Sequence, residues 1–114
     1  MPAEPLDLLQ GTLDLLILRT LAGEPMHGYG VSLWIRTRTG GELSVQDAAL
    51  YQALRRLERK GWVAAEWGIS ENNRRARYYT LTPGGRGQLV RETSAWQRYA
   101  GAVYRVLEPA AGEV

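Results

Sequence analysis

Residues 48–63 read AALYQALRRLERKGWV, and this run decides the fold. Leu50, Ala53, Leu54 and Leu57 recur at the three- and four-residue spacing that places them on one face of a helix. The opposite face, with the residue before it, carries Gln46, Tyr51, Gln52, Arg55, Arg56 and Arg59. Gly61 closes the helix, because glycine takes the left-handed cap backbone at no steric cost. At the other end Ser44, three residues before Asp47, predicts a weak capping box.

Downstream the period changes. WVAAEW (residues 62–67) and RYYTLT (residues 77–82) are rich in aromatic and β-branched residues and partly alternate, which predicts two strands joined by the polar loop GISENNRRA (residues 68–76). Thr82 supplies an N-cap with Pro83 at the first helical position. The helix that follows runs to about Leu107. Along it Leu89, Thr93, Trp96, Ala100, Val103 and Leu107 stand alternately four and three residues apart, the period of a coiled-coil seam. Three helices and a hairpin already enclose a core, so this surplus stripe predicts a second copy of the chain as its partner. Residues 109–114 are expected to form a flexible tail.

Upstream, residues 27–39 place Val31, Trp34 and Ile35 on one helical face and stop at Gly40 and Gly41. Residues 6–21 form a leucine-rich helix with apolar positions 6, 9, 13, 16 and 17 in a stripe and Leu8, Leu15 and Leu18 off it, so burial on more than one side is expected. Gly23, Glu24 and Pro25 end it. The element order predicts a mainly α fold with a small β-hairpin (α+β): a winged helix-turn-helix over residues 1–82 and a C-terminal dimerisation helix over 83–108, packed as one compact unit.

Composition narrows the chemistry. The chain has 114 residues, no cysteine and one histidine, so disulfides, thiol nucleophiles and thiolate metal sites are excluded, and neither a metal nor a cofactor is expected. His27 reads as a helix cap, and Gly28 and Gly30 as close-packing positions rather than a dinucleotide fingerprint. PGGRG at 83–87 lacks the ending of a phosphate loop. No serine or threonine has a histidine and carboxylate set, so an enzyme is not expected. No apolar run is long enough to span a bilayer and the start is no signal peptide, which predicts a cytoplasmic protein without membrane contact.

Net charge is only +2, but its distribution is uneven. Residues 55–77 hold seven cations (Arg55, Arg56, Arg59, Lys60, Arg74, Arg75, Arg77) against three acids (Glu58, Glu66, Glu71), and Lys60 is the one lysine of the chain. Arginine makes the planar, bidentate hydrogen bonds that suit phosphate and guanine. On a helix in the major groove, Gln52 offers an amide to adenine, Arg55 or Arg56 grips guanine, and Tyr51 reaches a phosphate or a thymine methyl. Arg74, Arg75 and Arg77 on the wing suit phosphates or a narrow minor groove. Tyr29, Gln46 and Asn73 complete the expected DNA-contacting set. A different use of the same fold is a protein-protein interaction module without DNA readout, suggested by the modest net charge and four tryptophans.

AALYQALRRLERKGWV, RRARYYTLTPGGR (residues 74–86) and HGYGV (residues 27–31) together resemble the PadR-type transcriptional regulators, over about residues 6–107. The resemblance implies a regulator, usually a repressor, that binds double-stranded DNA as a homodimer on an inverted repeat. The single long final helix is similar to the short C-terminal subgroup. Some members of that subgroup stack flat aromatic or cationic compounds between a tryptophan from each subunit. Trp96 matches that position, and Leu8, Gly11, Asp14 and Leu15 would line such an effector pore. One departure is Ala100, one turn after Trp96, where an acid would serve a cation-binding relative.

Overall fold

The computed structural model describes residues 8, 11–110 and 112. They form four helices and a three-stranded sheet in the order α1 (Thr12–Gly23), β1 (Met26–His27), α2 (Gly28–Arg38), α3 (Asp47–Arg59), β2 (Val63–Ile69), β3 (Arg75–Leu81) and α4 (Pro83–Leu107). The sheet is antiparallel with strand order β1-β3-β2. The α+β winged helix-turn-helix expected from the sequence is therefore the observed architecture.

The core forms where the helix faces meet the base of the hairpin. Ile17, Leu18 and Leu21 of α1, Val31 and Ile35 of α2, and Leu50, Ala53, Leu54 and Leu57 of α3 close over Val63, Tyr79 and Leu81. The faces read for α2 and α3 are the buried ones. For α1 burial on more than one side holds: Ile17 of the stripe and Leu18 off it are both fully buried, whereas Leu13 and Leu16 are half-buried. The reason is that α1 packs against α2, α3, α4 and β3 together, so it has no single solvent face for periodicity to reveal. Its start also differs. Residues 6, 7, 9 and 10, and the first five, expected to form no signal peptide, lie outside the described residues. Leu8 is half-buried and not helical, and Gly11, at φ 84°, stands as the N-cap of a helix that begins at Thr12.

The turn after α1 holds a strand that the sequence reading missed. Met26 pairs with Tyr79 and His27 with Tyr78, and two residues are too few to show alternation. His27 then caps α2 as expected, its Nδ1 accepting a hydrogen bond from the Gly30 N–H at 3.0 Å. At the far end Gly40 takes φ 61° and the Gly41 N–H bonds the Arg36 carbonyl at 2.8 Å, a glycine stop. The capping box at Ser44 does not form. Val45 is buried and anchors the chain, so the helix opens two residues later, with Gln46 at the N-cap and no side-chain cap bond.

The hairpin is longer than expected and its turn tighter, residues 70–74 instead of 68–76. Strand pairing runs from Val63↔Leu81 to Ile69↔Arg75, because Gly68 and Ala76 still pair across the ladder, with the ring of Tyr78 against Gly68. Trp62 stays outside the strand, its N–H closing the end of α3 on the Leu57 carbonyl. The α4 start is as read. Thr82 Oγ1 accepts from the Gly85 N–H at 3.0 Å and donates to the Gly61 carbonyl at 2.7 Å, with Pro83 in the first turn. Gly85 is pressed so close to Trp62 that a Cβ would stand 2.0 Å from the Trp62 carbonyl oxygen. Leu89 packs on the core, and the helix then continues to Leu107 with most of its side chains exposed.

Candidate nucleic-acid interface

The polar face of α3 points outward, since its apolar face is fixed in the core. Gln52, Arg55 and Arg59 are exposed along the middle of that face, and Gln46 is exposed at its N-terminal end. Tyr51 lies on one flank, half-exposed, with its ring against Gly28 at the start of α2. A Cβ on Gly28 would meet the Tyr51 hydroxyl at 2.7 Å, which is the close packing expected of that glycine. On the same flank Glu58 pairs with Arg77 of β3 at 3.0 Å.

Beyond the core the hairpin keeps its inward-facing row but exposes it. Trp67 and Ile69 of β2 face the same side as their cross-strand partners Arg77 and Arg75. The Arg75 guanidinium sits 4.6 Å from the Trp67 ring, a cation-π contact that stiffens the wing. Ser70 organises the turn: its N–H donates to the Arg74 carbonyl, its carbonyl accepts from Asn73, and its Oγ accepts from the Arg74 N–H. Asn73 takes φ 58°, a left-handed backbone that asparagine tolerates better than most residues.

The start of α2, the outer part of α3 and the wing enclose an open groove of about 730 Å³. Of the residues expected to contact DNA, Tyr29, Tyr51, Arg55, Arg74, Arg75 and Arg77 line it together. Gln46, Gln52 and Asn73 do not, although all three are exposed. Trp67, Leu33 and Ser70 also line it and were missed. Trp67 was legible in principle, as the third inward position of a strand whose first two are core. Arg56 departs from expectation. It lies on the opposite flank of α3, where its Nε and Nη2 engage both carboxylate oxygens of Asp14, so its fork is satisfied inside the protein. That hydrogen bonding holds its guanidinium above the ordinary arginine value. Arg55 has no ion-pair partner among the described residues.

A second concavity, about 510 Å³, opens between the start of α1 and the middle of α4. Gly11, Leu15 and Trp96 line it as the effector reading anticipated, joined by Thr12, Glu92 and Tyr99, which were not anticipated. Asp14 is turned away toward Arg56, and Leu8 is not on the wall. Glu92, one turn before Trp96, brings a carboxylate to this pocket, whereas the sequence reading looked for one only at Ala100. Its Oε1 accepts a hydrogen bond from Gln88 Nε2 at 2.8 Å. Trp96 and Tyr99 have ring centroids 6.1 Å apart. Among the seam positions Leu89, Thr93 and Ala100 are half-buried, while Trp96 (37% exposed), Val103 and Leu107 present their apolar surface to solvent.

A helix-turn-helix whose second member shows arginine and amide groups, flanked by an arginine-tipped hairpin, defines a winged-helix DNA-binding protein. Residues 17–92 match the Transcriptional regulator PadR-like family, and the chain belongs to that family. Solved relatives agree over most of their length. A transcriptional regulator from Clostridium thermocellum is 27% identical with a TM-score of 0.79, covering 87% of this chain and 93% of that one. A PadR family transcription regulator from hypervirulent Clostridium difficile is 25% identical with a TM-score of 0.75, covering 86% and 100%. A PadR family transcriptional regulator from Eggerthella lenta is 29% identical with a TM-score of 0.75, covering 89% and 86%. The protein is thus a DNA-binding transcriptional regulator and not an enzyme. No helix among the described residues is long and apolar enough to cross a membrane.

Proposed function

We propose that this regulator acts in the cytoplasm as a homodimeric repressor, with the α3 helices of two protomers in successive major grooves of an inverted repeat, about 34 Å apart. The observation that carries the reading is the grouping of Arg55, Arg74 and Arg75 with Tyr29 and Tyr51 around one open groove. Arg55 faces base edges from the helix. The wing arginines hold phosphates or the minor groove, so one protomer both positions and reads. The second copy is supported by the exposed seam of Trp96, Val103 and Leu107, which leaves apolar surface on α4 that the protomer itself does not cover.

We infer further that a flat aromatic compound entering beside Trp96 releases the repressor. The pocket's aromatic pair and its neighbouring α1 wall support this reading. Gel-shift titration against the protein's own promoter region tests DNA binding: the expected result is preference over random duplex with a steep salt dependence. No preference over random duplex, or an affinity that barely responds to salt, overturns it, and the absence of any DNA affinity at low salt would favour a protein-interaction module. Tryptophan quenching by aromatic dyes tests the effector. Trp96→Ala should abolish the quenching, and unchanged quenching removes Trp96 from any ligand site.

A further inference from the structure

Among the described residues there are two ion pairs, and both end on α3, one on each flank. Glu58 and Arg77 join it to the wing strand. Arg56 and Asp14 join it to α1. Asp14 stands in the first turn of α1, in the row that continues through Leu18 and Leu21, and its side chain is only 17% exposed. A carboxylate so placed needs a partner, and the Arg56 fork supplies hydrogen bonds to both of its oxygens. Apolar packing at Leu50, Ala53, Leu54 and Leu57 fixes which face of α3 is buried, but it is non-directional and sets the fine rotation about the helix axis less sharply. A planar, two-point arginine–carboxylate pair is directional and resists that rotation.

We propose that Asp14 is a positioning residue for DNA reading: through Arg56 it sets the rotation of α3 so that Gln52 and Arg55 face the groove of the duplex, and Arg56 itself touches neither phosphate nor base. This rests on the DNA reading above. It has a signature that bulk electrostatics opposes. Removing an acid from a protein that binds a polyanion should tighten binding, whereas loss of a positioning acid loosens it.

The experiment compares the parent, Asp14→Asn, Arg56→Gln, Arg56→Lys and the reversed pair Asp14→Arg with Arg56→Asp, all binding the promoter duplex across a salt series, with folding followed by circular dichroism. Asp14→Asn and Arg56→Gln should each weaken binding about tenfold with the salt slope unchanged. Arg56→Lys keeps the charge and loses the fork, so it should weaken binding several-fold while folding normally. The reversed pair should recover most of the loss. Tighter or equal binding by Asp14→Asn, a slope lowered by about 0.9 in Arg56→Gln as for a lost phosphate contact, or no recovery in the reversed pair overturns the proposal. If a single variant fails to fold, Arg56→Lys and the reversed pair decide. A parent without preference for its promoter brings down the DNA reading, and this inference with it. With that preference present, failure of the variants removes the inference alone.

Discussion

Gly85 shows how much a single position can hold. A Cβ there would meet the Trp62 carbonyl oxygen at 2.0 Å and the Leu81 side chain at 2.6 Å, and the first of these is backbone that cannot swing aside. Gly85→Ala should therefore cost about 3 kcal/mol or more, read by chemical denaturation. Tyr79 is informative in another way. It is buried at the base of the hairpin, and burial pushes its phenol above the ordinary value of 10.0, with Glu58 and Tyr51 adding to the rise and Arg77 opposing it. The fold thus favours the neutral ring. That contribution is whole below the unfolded value and is lost as pH climbs through the raised folded one, so the parent should weaken above about pH 10 more steeply than Tyr79→Phe in parallel melts. Caps at this scale were readable where the chemistry is local. Thr82 and His27 accept from N–H groups three residues on, as their sequence neighbours imply. Ser44 failed because the burial of Val45, a tertiary event, moved the start of α3.

Among the elements, α3 was the most legible, because a buried row of leucines and alanine leaves the polar row no other direction. What its sequence could not say is where the flanks go. Arg56 and Arg55 are neighbours with the same chemistry, yet one turns to Asp14 and the other to the open groove, and only the position of α1 decides this. Removing Arg55 should relax base preference at one operator position by about 1–3 kcal/mol. Removing Arg75 should weaken all duplexes alike and lower the salt slope by about one. A competition series with single-base operator changes, repeated at several salt concentrations, separates the two. The short strand β1 was illegible from periodicity, since its two residues gain their place only from pairing with β3. The wing was read too short for the related reason that Gly68 and Ala76 have weak strand preference alone and pair only in the folded ladder, where the Tyr78 ring lies against Gly68.

For the whole molecule the exposed apolar surface of α4 is wider than one seam. Tyr99, Tyr104 and Val106 flank Trp96, Val103 and Leu107, and Tyr99 is 62% and Val106 83% exposed. A second copy laid along this face would cover the seam and part of its borders, which a narrow two-stranded zipper alone would not. Val103→Asp, set in the middle of that surface and outside the protomer core, should leave the fold intact and split the proposed dimer by sedimentation, with a fall in operator affinity as the two half-sites separate. The N-terminal part of α4 is another matter, for Gly85, Thr82 and Leu89 seat it firmly on the winged domain. With its 25 residues spanning about 37 Å, α4 is a rigid boom fixed to its cab. In the proposed pair, a scissoring of about 5° between two such booms moves their far ends by about 3 Å, close to one base-pair step along DNA. Neither protomer has to bend or unfold for the two reading heads to fall out of step with the turn of the duplex.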